Sequence, residues 1–136
     1  MKVVVDANIL FSALLREENR HAEILLTEAG NEFFTPRFVV VEIFKHKGKI
    51  LKYTKCSEEV LLELLHRLLK RLYFMDEDLI ALPSWREAWE LIKDTDGKDL
   101  PYLAMAIELD ARIWTNDAQL KDGLRSKGFD RFYEPF

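Results

Sequence analysis

The chain opens on an unbroken β-branched run, Val3-Val4-Val5, that stops at Asp6. A strand apolar at every position is buried on both faces, the type found in parallel sheets. Over residues 7–15 the apolar positions fall at helical spacing, and they do so again over residues 21–29 before Gly30-Asn31, a helix stop. Residues 33–35 suit a short strand. Pro36 suits the first turn of a helix carrying Val39, Val40, Glu42, Ile43 and Phe44, although the valines there would also suit a strand.

The clearest helix spans residues 57–72. Ser57 can cap it, Glu58 and Glu59 sit in its first turn, and Arg67, Lys70 and Arg71 in its last, as the helix dipole favours. Its polar residues form a narrow stripe and leave a wide apolar face through Val60, Leu61, Leu64, Leu65, Leu68 and Leu72. That face is wider than one layer of a small sheet needs, and a homodimer is expected to cover part of it. A further helix runs from Ser84 to Ile92 and breaks at Asp94-Thr95-Asp96-Gly97. Another opens near Asp99-Leu100-Pro101 and reaches Leu109. Residues 111–115 form a strand, Asn116-Asp117 turns the chain into a helix through Leu124, and Phe132-Tyr133 is a candidate edge strand.

Strands separated by helices imply a parallel sheet covered on both faces. Such sheets place their sites at the carboxyl ends of the strands. The 136 residues suit a single domain over 1–136, with no repeats or linkers. Apolar residues at 49% and charged residues at 32% fit a soluble folded chain. The net charge of -4 excludes a polybasic nucleic-acid binder, so any phosphate contact must be local. One cysteine, Cys56, can form neither an internal disulfide nor a zinc ribbon, and no stretch approaches the roughly 20 apolar residues of a membrane span. A cytoplasmic protein without a membrane partner is expected.

Acids recur where the chain leaves a strand or enters a helix: Asp6, Asp96, Asp99 and Asp117, with Glu42 in an otherwise apolar stretch. Singly, these read as helix caps, a turn and a solvated residue. Jointly they suggest more. If Asp6 and Asp117 end adjacent parallel strands, their carboxylates converge at one sheet edge, where helix starts or faces add Glu42 and Asp99. Clustered carboxylates repel unless they protonate or hold a divalent cation, and an all-oxygen site suits Mg2+ or Mn2+ over Zn2+. One such ion lowers the pKa of a bound water; a second, roughly 4 Å away, stabilises the leaving oxygen of a phosphodiester displacement. Asn8 is placed to orient that water or a phosphate. Lys45, Lys47 and Lys49 lie in a basic stretch with no acid between Glu42 and Glu58, and are candidates for RNA phosphates as well as an ordinary solvated face.

Three segments, Val3-Val4-Val5-Asp6-Ala7-Asn8-Ile9-Leu10, Asp99-Leu100-Pro101-Tyr102-Leu103-Ala104-Met105-Ala106 and Trp114-Thr115-Asn116-Asp117, resemble in order and spacing the signature segments of PIN-domain nucleases. The resemblance covers almost the whole chain. It implies a three-layer α/β/α sandwich with a central parallel sheet, and a metal-dependent endoribonuclease of the kind used as the toxin of a VapBC-type toxin-antitoxin pair, with an antitoxin partner. Position by position, it makes Asp6, Glu42, Asp99 and Asp117 the metal-binding and catalytic acids, Asp96 an auxiliary ligand, and Asn8 and Thr115 polar support. Glu32 is the alternative to Glu42.

Rival readings fare worse. A haloacid-dehalogenase-type phosphatase needs Asp-x-Asp after the first strand, where this chain has Asn8 in the second place. A receiver domain needs paired acids there and a late lysine, and residues 3–15 hold no Gly-rich nucleotide loop. The alternatives that stand are a catalytically degenerate scaffold binding RNA or a partner, and an RNA-processing nuclease that is not a toxin.

Overall fold

The computed structural model describes all residues, 1–136. Four parallel strands, β1 (Lys2–Val5), β2 (Glu32–Pro36), β3 (Leu72–Met75) and β4 (Arg112–Trp114), form one sheet in the order β3-β2-β1-β4. The helices are α1 (Ala7–Leu14), α2 (Arg20–Thr27), α3 (Phe38–Lys45), α4 (Lys47–Tyr53), α5 (Glu58–Lys70), α6 (Leu82–Ile92), α7 (Leu100–Leu109) and α8 (Ala118–Ser126). Val3, Val4 and Val5 are wholly buried, so β1 is covered on both faces. Each such side chain contributes about 1.5–3 kcal/mol relative to exposure. Helix α7 packs on β1, β2 and β4 with α6 against it, while α1, α2 and α5 pack together. This is the expected α/β/α sandwich. No helix is long and apolar enough to cross a membrane.

Helix α5 begins as its sequence requires, with the Ser57 hydroxyl accepting from the Val60 N–H. Leu61, Leu64 and Leu68 enter the core, whereas Leu62 is exposed. The helix ends before Leu72, however, which opens β3 instead of extending the apolar face. Pro36 also differs from expectation: it ends β2 opposite Met75. The β1 ladder reaches only Phe34, so an N–H at residue 36 would have no strand partner on that side and proline costs nothing there. Residues 47–53, expected only as a basic stretch, form α4.

Helix α8 closes at Gly128, whose φ of +89° suits glycine. The Gly128 N–H donates to the Arg125 carbonyl and the Phe129 N–H to that of Leu124. This reversal brings Phe132 beside Ile113 in a single parallel bridge, with Tyr133 donating its N–H to the Ile113 carbonyl. The expected edge strand at residues 132–133 is reduced to that bridge.

Candidate active site

Strands β1 and β4 are neighbours, with Val5 opposite Trp114. The residues that follow them, Asp6 and the segment Thr115–Asn116–Asp117, therefore emerge side by side at the carboxyl edge of the sheet. Thr115 joins them. Its buried hydroxyl donates to Asp6 Oδ2 at 2.7 Å and accepts from Asn8 Nδ2 at 3.2 Å and from the Asp117 N–H at 3.1 Å. Asn8 Oδ1 accepts the Asn116 N–H at 3.1 Å, so the two loops are tied twice.

Helix starts separate the acids into two kinds. Asp117 accepts the Leu120 N–H at 3.1 Å and caps α8. Asp6 and Asp99 stand at the starts of α1 and α7 without capping either helix. Both are nearly inaccessible, at 5% and 6% exposed, and Asp99 Oδ2 is buried with no hydrogen-bond partner. A buried carboxylate oxygen left unpaired costs free energy that the fold itself does not recover.

Burial pushes the Asp6 carboxyl up to about 6, assisted by the charge of Glu42 and opposed by the Thr115 hydroxyl and the N–H groups of Ala7 and Asn8. Burial also pushes Asp99 up to about 7, with Asp6, Asp117 and Asp96 adding to the rise and Lys98 opposing it. These couplings place Asp6, Asp99, Asp117 and Glu42 in one electrostatic neighbourhood.

A cleft of roughly 270 Å3 is lined by Asp6, Asn8, Glu42 and Asp117, with Lys45, His46 and Lys98 beside them and Phe11, Phe38 and Val41 on its apolar wall. Glu42 reaches it from α3 and accepts the Tyr102 hydroxyl at 2.5 Å. Tyr102 lies one turn after Asp99 on α7. Burial and the carboxylates of Glu42, Asp6 and Asp99 raise its pKa further above the phenol range, so it serves as a donor. Glu32, the alternative to Glu42, is exposed at the start of β2, the opposite end of that strand from the site.

The peripheral candidates divide. Asp96 is exposed and lies in an adjoining hollow with Thr95, Lys98 and Asp117. The Lys98 N–H holds its carboxyl below the usual range, and the Lys98 ammonium lies 3.3 Å away. Lys45 lines the cleft, whereas Lys47 lines a separate apolar groove over the Phe44 ring, and Lys49 is exposed on α4. None of these three lysines has a carboxylate partner. Tyr102, Lys98 and Phe38 were not legible as site residues, whereas His46 shares a helix face with Glu42 four positions before it. For Tyr102 the spacing of three from Asp99 on a helix was the one available signal.

A divalent cation fits this arrangement. The acids supply only oxygen donors, two of them are penalised by burial, and Asp99 Oδ2 lacks any partner. No three of the acids close on one point. A strongly hydrated divalent ion keeps several waters and uses few protein ligands, which agrees with oxygen donors spread along the site rather than gathered at one point.

The fold and site define an α/β domain with a carboxylate-lined cleft at the carboxyl edge of a parallel sheet. The family model described as the PIN domain matches residues 4–134. The chain therefore belongs to the PIN-domain family, whose members are in general nucleases. Among solved structures its fold is similar to a chain in the crystal structure of VapBC2 from Rickettsia felis bound to a DNA fragment from their promoter. The TM-score is 0.67 at 20% identity, over 90% of this chain and 92% of that one. No curated protein matches it in sequence.

Proposed function

We propose that this chain is a Mg2+- or Mn2+-dependent endoribonuclease and the toxin of a toxin-antitoxin pair. The observation that carries the nuclease reading is the grouping of Asp6, Glu42, Asp99 and Asp117 about one edge of the sheet, with a buried Asp99 oxygen that has no partner. Asp6, Glu42, Asp99 and Asp117 would hold the metal, with Asp96 as an outlying auxiliary. When bound, the ion supplies the Lewis acidity that phosphodiester hydrolysis needs.

The chain's own residues do the rest. Thr115 fixes the direction of the Asp6 carboxylate, Tyr102 that of Glu42, and Asn8 locks the two loops together. Lys45 and Lys98 on the cleft rim offset the charge of an incoming phosphodiester. The intact set of acids favours catalysis over a degenerate scaffold. The antitoxin partner is supported by the likeness to a chain of the VapBC2 complex.

The test is cleavage of single-stranded RNA with Mn2+ or Mg2+. Activity is expected to disappear on chelation and in Asp6→Asn. RNA cleavage that survives both would refute the metal mechanism.

A further inference from the structure

Phosphate recognition leaves the apolar wall of the cleft unexplained. Phe38 is 43% exposed and Val41 55% exposed, and both line the same cleft as Asp6 and Glu42. Neither exposed surface contributes to the core, and leaving apolar area in water forgoes stabilisation. Helix α3 arranges these residues in a particular way. Phe38, Glu42 and Lys45 follow one another at spacings of four and three, which puts an aromatic ring, a site carboxylate and a cation along one helix face. Successive positions on that stripe are about one helical turn, roughly 5–6 Å, apart. In the same cleft lining, Phe11 on α1 meets the His46 ring edge to face at 5.3 Å, adding an aromatic pair.

We propose that the Phe38 ring, with Val41 beside it, is the platform for one unpaired RNA base next to the scissile phosphate. This rests on the ribonuclease reading above and adds to it the part of the substrate that is gripped. The carboxylates face the phosphodiester, Lys45 takes a neighbouring phosphate, and the ring takes the base. Every nucleobase has a π-face, so such a platform tolerates sequence and selects for an unpaired base. A base inside a duplex has both faces covered by its stacked neighbours and cannot use it. Phe38 therefore sets the preference for single-stranded substrate.

Binding is measured by fluorescence anisotropy in the Asp6→Asn background, so that the RNA stays intact. The probes are a short labelled single-stranded RNA, the same RNA annealed to its complement, and an abasic version. Phe38→Ala should weaken binding of the single strand about tenfold, the loss expected for one stacked base, with little effect on the duplex. Phe38→Tyr should restore binding, and Phe38→Leu, which keeps apolar bulk without a π-face, should not. An abasic site at the stacked position should cost the wild-type ring the same loss and cost Phe38→Ala nothing further. Melting curves keep the comparison to folded variants, and the Tyr and Leu variants decide the matter should the alanine variant unfold. If single-stranded RNA binds but Phe38→Ala and Phe38→Leu bind it as the parent does, the base platform is overturned while the nuclease reading stands. If the Asp6→Asn parent binds no RNA although wild type cleaves it, the base platform is overturned alone; if wild type also fails to cleave RNA with Mn2+ or Mg2+, both readings fall.

Discussion

Tyr102 on α7 donates its hydroxyl to Glu42 Oε1 on α3 at 2.5 Å, joining residues sixty positions apart. One carboxylate oxygen is thereby engaged from the protein side, and the other is left as the freer one. Tyr102→Phe removes that donor and keeps the buried ring. Groups that orient metal-binding carboxylates typically cost 10–100-fold in metal affinity when lost. Calorimetric titration should show Mn2+ affinity falling by about tenfold or more, with stability changed by only about 1 kcal/mol. Unchanged affinity would separate Tyr102 from the site.

Metal should stabilise the chain by mass action, by about 2.7 kcal/mol when the free ion is a hundredfold above its Kd. Asp99→Asn removes a repelling charge and a proposed ligand but no cap, since Asp99 caps nothing. The metal-free variant should melt no lower than metal-free wild type, while losing RNA cleavage and most of the Mn2+-induced rise in Tm. A full Mn2+ response in this variant removes Asp99 from the site.

The raised carboxyls fix the sign of a pH dependence. Asp6 and Asp99 bind protons more tightly folded, at about 6 and about 7, than unfolded, at 3.8. Over that window the folded chain holds more protons, so stability falls as pH rises, and the penalty is complete above about 7. Metal-free protein should therefore melt higher at about pH 5 than at about pH 8. Asp99→Asn should flatten the upper part of the slope. Thermal scans across pH in chelator check this, and a rise in Tm over the window contradicts it.

Lys45 lines the cleft, but Lys47 lies in another groove. Lys45→Ala should weaken RNA binding across sequences and reduce the salt slope by about one. Lys47→Ala should leave the slope nearly unchanged. Equal effects from the two would mean that phosphate contacts run along the whole basic stretch.

A homodimer is proposed on the apolar groove where Leu62, Leu65 and Leu69 of α5 face Val40, Ile43 and Phe44 of α3. Phe44 is among the most exposed large apolar residues of the chain, and patches of this kind mark interfaces. Sedimentation should give a dimer at micromolar concentration, with Leu62→Glu shifting it to monomer. A wild-type monomer at that concentration rejects the proposal.

Sequence alone carried the architecture where local signals agreed with the tertiary fold. The uninterrupted valines of β1, the Ser57 cap and the Asp96-Gly97 turn each do what their composition implies. Strand β3 was hidden because Leu72 follows α5 with no glycine or proline between, so it continued a helical pattern. Helix α4 was hidden by its lysines, which read as solvated surface until Ile50 is seen buried beneath them. In the site, Asp6, Asp99 and Asp117 were legible from their places at element junctions. Tyr102 offered only its spacing of three from Asp99, and its hydrogen bond to Glu42 joins α7 to α3 in a way that local spacing does not encode.

The bridge at Phe132 gives the sheet two unlike borders. Beside β4 the returning chain already occupies Ile113, whereas β3, with no further strand outside it, presents Tyr73 at 56% exposure. A strand arriving from outside therefore finds the outward N–H and C=O of Ile113 already engaged at the β4 border, and meets the β3 border uncovered.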